Sequence, residues 1–354
     1  MDQFVTVRQV QMWGVDTNLF QFQGMLTWAV FFLNADKTIY GRYGSRGARM
    51  SRKDNDKDVT LEGFKKAMEG ALELHKGFPA NKDALAGKTG KPRPWKTPES
   101  FPFKPNASGP AEKTQGKGCI HCHDVQDSEF KSAWKAGQPV PDKLLWTYPM
   151  PDELGLVLDT TERATVARVV SGSPADKGGF RTGDKIVTLE GQPPISLADV
   201  QWVLHNADEP STLKGQVDRG GKKVDVTLTL AAGWRRKTEY TLTQSLGWVT
   251  RNVVAGMRMQ VVDPVEKSKL GLPGNALAIK VVDLAPDFAR DRNTSAKTVG
   301  IQKNDIIVEV DGVKSAMSES EFITYLIQKK GKGQKVPLTL ARGGQIQKVQ
   351  LDLP

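Results

Sequence analysis

Gly179-Phe180-Arg181-Thr182-Gly183-Asp184-Lys185-Ile186-Val187 decides the fold, because the chain repeats it. Gly300-Ile301-Gln302-Lys303-Asn304-Asp305-Ile306-Ile307-Val308 aligns with it at a constant offset of 121 residues, and Gly191 then matches Gly312. Two glycine-punctuated turns that each feed an apolar strand, at one spacing, are the mark of a duplicated domain. A helix is expected after each copy, Ser196 to His205 and Ser318 to Gln328, and a closing strand, Val224 to Leu230 and Val336 to Leu340. Serine at the head of each helical stretch supplies an N-cap.

Around the first copy the residues resemble a bacterial PDZ domain. Val169-Val170-Ser171-Gly172-Ser173-Pro174-Ala175 is similar to that family's Gly-Ser-Pro-Ala turn, and Gly179 to Val187 to its Gly-Asp signature. Leu154-Gly155-Leu156-Val157 resembles the loop and strand that hold a peptide carboxylate. The resemblance implies capture of an extended peptide C-terminus as an added strand, its carboxylate on backbone N–H groups of that loop, with Val200 and Leu204 lining the groove. The alternative is a packing module whose groove the chain itself fills. In the second copy Gly256-Met257-Arg258-Met259 is the less clear counterpart of the loop, Leu284-Ala285-Pro286-Asp287 is a poorer turn, and an insertion runs through Arg290 to Lys297. The connector around Trp234-Arg235-Arg236 and Leu246-Gly247-Trp248 carries no recognisable motif.

Upstream, residues 1–80 read as an α/β unit. Phe4 to Val10 is β-rich, Thr27 to Leu33 is an apolar run suited to a buried strand, and Asn34 to Lys37 turns the chain into Thr38 to Tyr43. Thr60 is placed to N-cap a helix with Leu61, Phe64, Met68 and Leu72 on one face, and Gly77 and Pro79 stop it near His75. This order resembles the C-terminal half of a thioredoxin fold. Leu26 stands where that family has a cis-proline, and its redox cysteine pair has no counterpart here. Residues 81–118 are dense in Pro, Lys, Gly, Ser and Asn, the composition of a linker, with Trp95, Phe101 and Phe103 as anchors.

Cys119-Ile120-His121-Cys122-His123 holds the only two cysteines of the chain. Cys-x-x-Cys-His is the spacing at which two thiols add across the vinyl groups of a haem while the following histidine takes the iron. Residues 119–151 are therefore expected to be a haem c attachment segment, with Cys119, Cys122 and His123 on the cofactor and Met150 as the sixth ligand. His75, His205, Met257 and Met259 are other candidates for that position. Two further readings stay open: a zinc or copper clip of thiolates and imidazoles, and a dithiol activated by His121. So short a segment leaves the haem to borrow walls from Trp134, Trp146 and Tyr148.

A net charge of +10 with a pI near 9.4 favours anionic partners. Lys and Arg are spread along the chain rather than set in a stripe, which argues against nucleic-acid binding. The longest apolar run, Trp28 to Leu33, is far short of the roughly 20 residues that span a bilayer, so no integral membrane segment is expected. The first residues lack the features of a secretory signal. Haem c is attached outside the cytoplasm, so that reading implies a trimmed chain in the periplasm or a similar compartment. No G-x-S-x-G, H-E-x-x-H or P-loop occurs.

The expected fold class is α/β plus mainly-β: a partial thioredoxin-like unit over 1–80, a linker over 81–118, the haem segment over 119–151, a PDZ-like domain over 152–232, and connector plus second PDZ-like domain over 233–354. The expected function is monohaem electron transfer or redox sensing, with a redox partner protein and a peptide bound by the first PDZ domain. The alternative is a haem-free peptide-binding scaffold.

Overall fold

The computed structural model describes residues 2–26, 28–45, 58–103, 118–137, 139–240, 253–284, 295–330 and 333–353. The chain divides into two compact units, residues 1–126 with 146–238, and residues 127–145 with 239–354.

In the first unit β1 (Val30–Leu33) pairs antiparallel with β2 (Ile39–Tyr43), as the apolar run and turn imply. Phe4 to Val10 forms no strand: Val5, Val7 and Val10 are 95%, 83% and 69% exposed. Helix α1 (Leu61–Lys76) starts where Thr60 Oγ1 accepts from Gly63 N at 3.0 Å and stops at Gly77. Its buried residues are Gly63, Ala67, Gly70 and Ala71, while Leu61 is 62% exposed and Phe64 and Met68 are half-buried. Small residues turn inward because their neighbours come too close for anything larger; a side chain on Gly63 would strike the Thr160 carbonyl, and one on Gly70 would strike Ile195.

Residues 81–103, expected as a linker anchored by Trp95, Phe101 and Phe103, pack against the unit at several points. Leu85, Lys88 and Phe101 are buried, and Gly87 O accepts from Trp202 Nε1 at 2.9 Å. The rest of the expected linker, 104–117, lies outside the described residues, as do Leu246-Gly247-Trp248 and the 285–294 part of the turn and insertion. Helix α2 spans Cys122–Lys135.

The first repeat builds β3 (Leu156–Leu158) paired to β4 (Val166–Val169), and β5 (Lys185–Leu189) paired through β6 (Ser211–Arg219) to β7 (Lys222–Leu230). A bridge at Thr165 and Lys185 links the two sheets, with Val166 N donating to Asp184 O at 2.8 Å and Ile186 N to Ala164 O at 2.9 Å. Helix α3 (Leu197–Asn206) lies between β5 and β6, its N-cap Ser196 accepting from Ala198 N at 3.1 Å. The core joins both sheets to the helix through Leu156, Ile186, Leu189, Val200, Leu204, Leu213, Val226 and Leu228.

The second unit repeats this plan. β8 (Met257–Val261), β9 (Ile279–Leu284), β10 (Ile306–Val310), β11 (Lys335–Arg342) and β12 (Gln345–Asp352) form one antiparallel sheet in the order β12-β11-β10-β9-β8. Helix α4 (Glu319–Lys329) sits between β10 and β11 behind a capping box of Ser318 and Glu321. Val140, Leu145, Phe130 and Trp134 are buried in this unit, and Gln328 Nε2 donates to the Val140 carbonyl at 2.8 Å.

Candidate functional site

The expected peptide site of the first domain is assembled from β3, the turn before it, and α3. Pro151–Leu154 is a short 3₁₀ turn ending at Gly155, whose φ of 77° is the left-handed region open to glycine. A side chain at 155 would also collide with Ser173, so the Gly-Ser-Pro-Ala turn and the loop hold each other in place. Gly155 N donates to Asp152 O at 2.9 Å, and Gly155 O accepts from Val170 N at 2.9 Å. β3 is bonded to β4 along one side, and among the described residues no strand pairs with its other side.

Leu154, Leu156, Val200 and Leu204 come together as expected, but they are shut away from solvent at 3%, 0%, 0% and 0% exposure; Val157 is half-buried. The groove is closed in this conformation. Glu153, within the turn, has its carboxyl pushed up to about 8 by burial and by neighbouring Asp152, against the pull of Thr238 and Arg235.

All of α3 from Leu197 to His205 is buried, polar residues included. At one end Tyr148 stacks on His205 at 4.1 Å, and Tyr148 N donates to His205 Nδ1 at 3.3 Å. At the other, Asp199 accepts from Lys88 Nζ at 2.9 Å, from Arg42 N at 3.1 Å and from Ile195 N at 3.0 Å. The Arg42 guanidinium lies 3.8 Å over the Trp202 ring. This cluster is not legible in the sequence, where a lone Asp inside an apolar helical stretch is its one signal.

The cysteine motif is arranged differently from a haem seat. Ile120 is buried against Met12, Phe101 and Val125, with Trp13 and Trp95 at the edge, so its apolar surroundings are already filled by side chains. His123 is 52% exposed at its side chain, its Nδ1 3.4 Å from Asp124 Oδ1, and its ring stacks on His121 at 5.5 Å. Met150 is packed in the core of the first domain, its Sδ accepting from Gln201 Nε2 at 3.1 Å. It is a core residue rather than a sixth ligand. His205 is buried against Tyr148, His75 Nδ1 pairs with Tyr40 OH at 2.8 Å, and Met257 and Met259 are buried in the second domain. Among the described residues no group of three or more His, Cys, Asp or Glu side chains is placed to hold a metal ion.

Comparison with known proteins gives the site its context. The family model described as PDZ domain matches residues 152–230 and 258–353. A probable periplasmic serine endoprotease DegP-like from Pseudomonas savastanoi pv. phaseolicola is 28% identical over 187 residues, 53% of this chain and 36% of that protein. One of the same description from Chlamydia trachomatis serovar D is 25% identical over 206 residues, 58% of this chain and 36% of that protein. The match thus spans little more than a third of the length of these relatives. Among solved structures, the HtrA-type protease AlgW with decapeptide is 18% identical, covering 40% of this chain and 48% of that one, with a TM-score of 0.23. The serine endoprotease from Yersinia pestis is 26% identical, covering 28% and 30%, with a TM-score of 0.18.

These relatives correct the reading of the cysteine motif. They are named as serine endoproteases, so the expected haem c cofactor, electron transfer and redox partner are set aside. A location outside the cytoplasm agrees with their periplasmic description, and no helix among the described residues is long and apolar enough to cross a membrane. The family match lies outside residues 1–80 and does not bear on their thioredoxin-like resemblance. The repeated strands, the paired helices and the family match together identify two PDZ domains in this chain.

Proposed function

We propose that the chain is a peptide-recognition protein of the periplasm or a similar compartment, which captures polypeptide ends or extended segments for the kind of proteolytic handling that DegP-like endoproteases carry out. Residues 152–232 are its primary binding domain, and residues 233–354 hold the connector and a second domain that acts mainly in packing. The observation that carries the reading is β3, whose outer side has no strand partner among the described residues while the turn at Gly155 leads directly into it. An extended peptide entering there would add as a strand antiparallel to β3, with its carboxylate at the Leu154-Gly155-Leu156 turn and its last side chain among Leu154, Leu156, Val200 and Leu204. The apolar character of those four residues favours an apolar C-terminal residue.

Fluorescence anisotropy with labelled peptides of random sequence ending in an apolar residue tests this. The full chain is expected to bind the free-carboxylate form at least about tenfold more tightly than the amide, since an anion held by backbone N–H groups contributes roughly 1.5–3 kcal/mol. Equal affinity for the two forms sinks the reading.

A further inference from the structure

The proposed groove is shut, and the groups that hold its helix from behind belong to the N-terminal part of the same unit. Val200, Leu204 and Leu156 are each 0% exposed. A peptide strand needs about 4.8 Å beside β3, so α3 has to move away from β3 to admit one. On its far side α3 is tied to β2 and to the turn at Gly87-Lys88. Lys88 Nζ meets Asp199 Oδ2 at 2.9 Å, Ser196 Oγ donates to Arg42 O at 2.5 Å, and Trp202 Nε1 donates to Gly87 O at 2.9 Å. Gly41 of β2 lies so close to Ile195 that any side chain there would collide with it. Every one of these partners lies outside residues 152–230.

We infer that β2 and the Gly87-Lys88 turn form a brace that keeps the first peptide groove closed, and that releasing the brace admits the peptide. This rests on the peptide-binding reading above. The brace is strong because Arg42, Lys88 and Asp199 have side chains 4%, 1% and 3% exposed, where a broken ion pair leaves a charge stranded in an apolar interior. It is also releasable. Two cations face one carboxylate, Arg42 Nη1 reaches Asp199 Oδ1 only at 4.0 Å, and the mutual repulsion of Arg42 and Lys88 offsets part of the attraction. Peptide affinity is then the intrinsic affinity multiplied by the fraction of molecules with the brace open.

The test compares the full chain with two variants, using the same labelled free-carboxylate peptides. Asp199→Asn removes the charge that both cations face; Trp202→Phe removes one hydrogen bond and keeps an aromatic ring under Arg42, so it stands in where the first variant fails to fold. Asp199→Asn is expected to tighten apparent binding about tenfold and Trp202→Phe by a smaller factor, as a larger open fraction requires. Hydrogen exchange of the α3 amides should rise in both variants without peptide. Unchanged or weaker binding in variants that fold overturns the brace while leaving peptide capture intact. Absence of binding in the parent and in both variants overturns the brace together with the peptide reading.

Discussion

Asp184 and Arg219 form a clasp that the second domain reproduces. Arg219 Nε and Nη2 donate to the fully buried Asp184 carboxylate at 2.7 and 2.8 Å, and Nη2 also reaches Gly179 O at 2.7 Å. In the other repeat Arg342 makes the same three contacts, at 2.6, 2.7 and 2.7 Å, with Asp305 and Gly300. Each clasp pins the Gly-Asp turn to the last residue of the penultimate strand, β6 in the first repeat and β11 in the second. Arg219→Ala or Arg342→Ala leaves a buried carboxylate without its cation, and each is expected to destabilise its own domain by about 2 kcal/mol. Urea unfolding of each variant measures this; a loss below the error of the midpoint contradicts it.

The Asp184 clasp also sets an acid limit. Burial pushes this carboxyl up, but Arg219 and Arg181 N outweigh burial and hold it below its ordinary value of 3.8. A lowered native value means that the unfolded chain takes up its proton first as pH falls. The stabilisation is therefore present above about pH 4 and disappears below it. Arg219→Ala should flatten the fall in thermal stability over that acid range, and an unaltered slope in the variant counts against the assignment.

Arg235 closes the C-terminus of α3. Its Nη2 donates to the carbonyls of Leu204, His205 and Ala207 at 2.7, 3.3 and 3.0 Å, and its Nε meets Glu209 at 2.5 Å. These carbonyls are among the last four of a helix, which have no partner within it. Its side chain is 3% exposed, so Arg235→Ala leaves the Glu209 carboxylate facing an emptied space. A loss of about 3 kcal/mol is expected by chemical denaturation. Arg235→Lys should recover only part, because an ammonium cannot span three carbonyls and a carboxylate as a planar guanidinium does.

The repeat was legible because it is written in residues whose conformation is restricted: glycines at positive φ, capping serines and the aspartates of the clasps. The N-terminal part was less legible, and α1 shows why. Periodicity places Leu61, Phe64, Met68 and Leu72 inward, whereas the tightly packed face is Gly63, Ala67, Gly70 and Ala71. Small residues carry a weak hydrophobic signal, and only the approach of Ile195 and Thr160 from distant sequence makes that face a contact. Val5, Val7 and Val10 show the converse, a β-prone alternation with no strand beside it. The site residues Leu154, Gly155, Leu156, Val200 and Leu204 were legible from their motif. Closure of the groove was not, because Arg42 and Lys88 lie more than a hundred residues before Asp199.

Two half-buried glutamates predict a loss of stability toward alkaline pH. Glu153 rises from 4.5 to about 8, and Glu319 from 4.5 to about 7 through burial and the charge of Glu239. A raised carboxyl holds its proton in the native state after the unfolded state has released it. Stability therefore falls as pH rises from 4.5, reaching its full loss near pH 7 for Glu319 and near pH 8 for Glu153. Glu319→Gln should remove the slope for the second domain and Glu153→Gln that for the first, read from urea midpoints at pH 5 and pH 8. Midpoints that drop equally in the parent and both variants assign the effect elsewhere. Glu153→Gln should also preserve peptide binding above pH 8, where the parent gains a negative charge beside the turn proposed for the carboxylate.

Cys122 opens α2, a position where a helix N-terminus ordinarily favours the thiolate. Here burial wins: it raises the thiol above its ordinary value of 9.0, Asp124 adds to the rise, and the bond to the residue's own backbone opposes it. Alkylation of Cys122 by iodoacetamide at pH 7, followed by peptide mass spectrometry, should therefore be slower than that of a free cysteine and should accelerate as the pH is raised. Phe101→Ala, which opens the cluster around Ile120 beside it, should speed labelling by letting water reach the motif. Rapid labelling of the parent at neutral pH would mean that the helix end, not burial, governs this thiol.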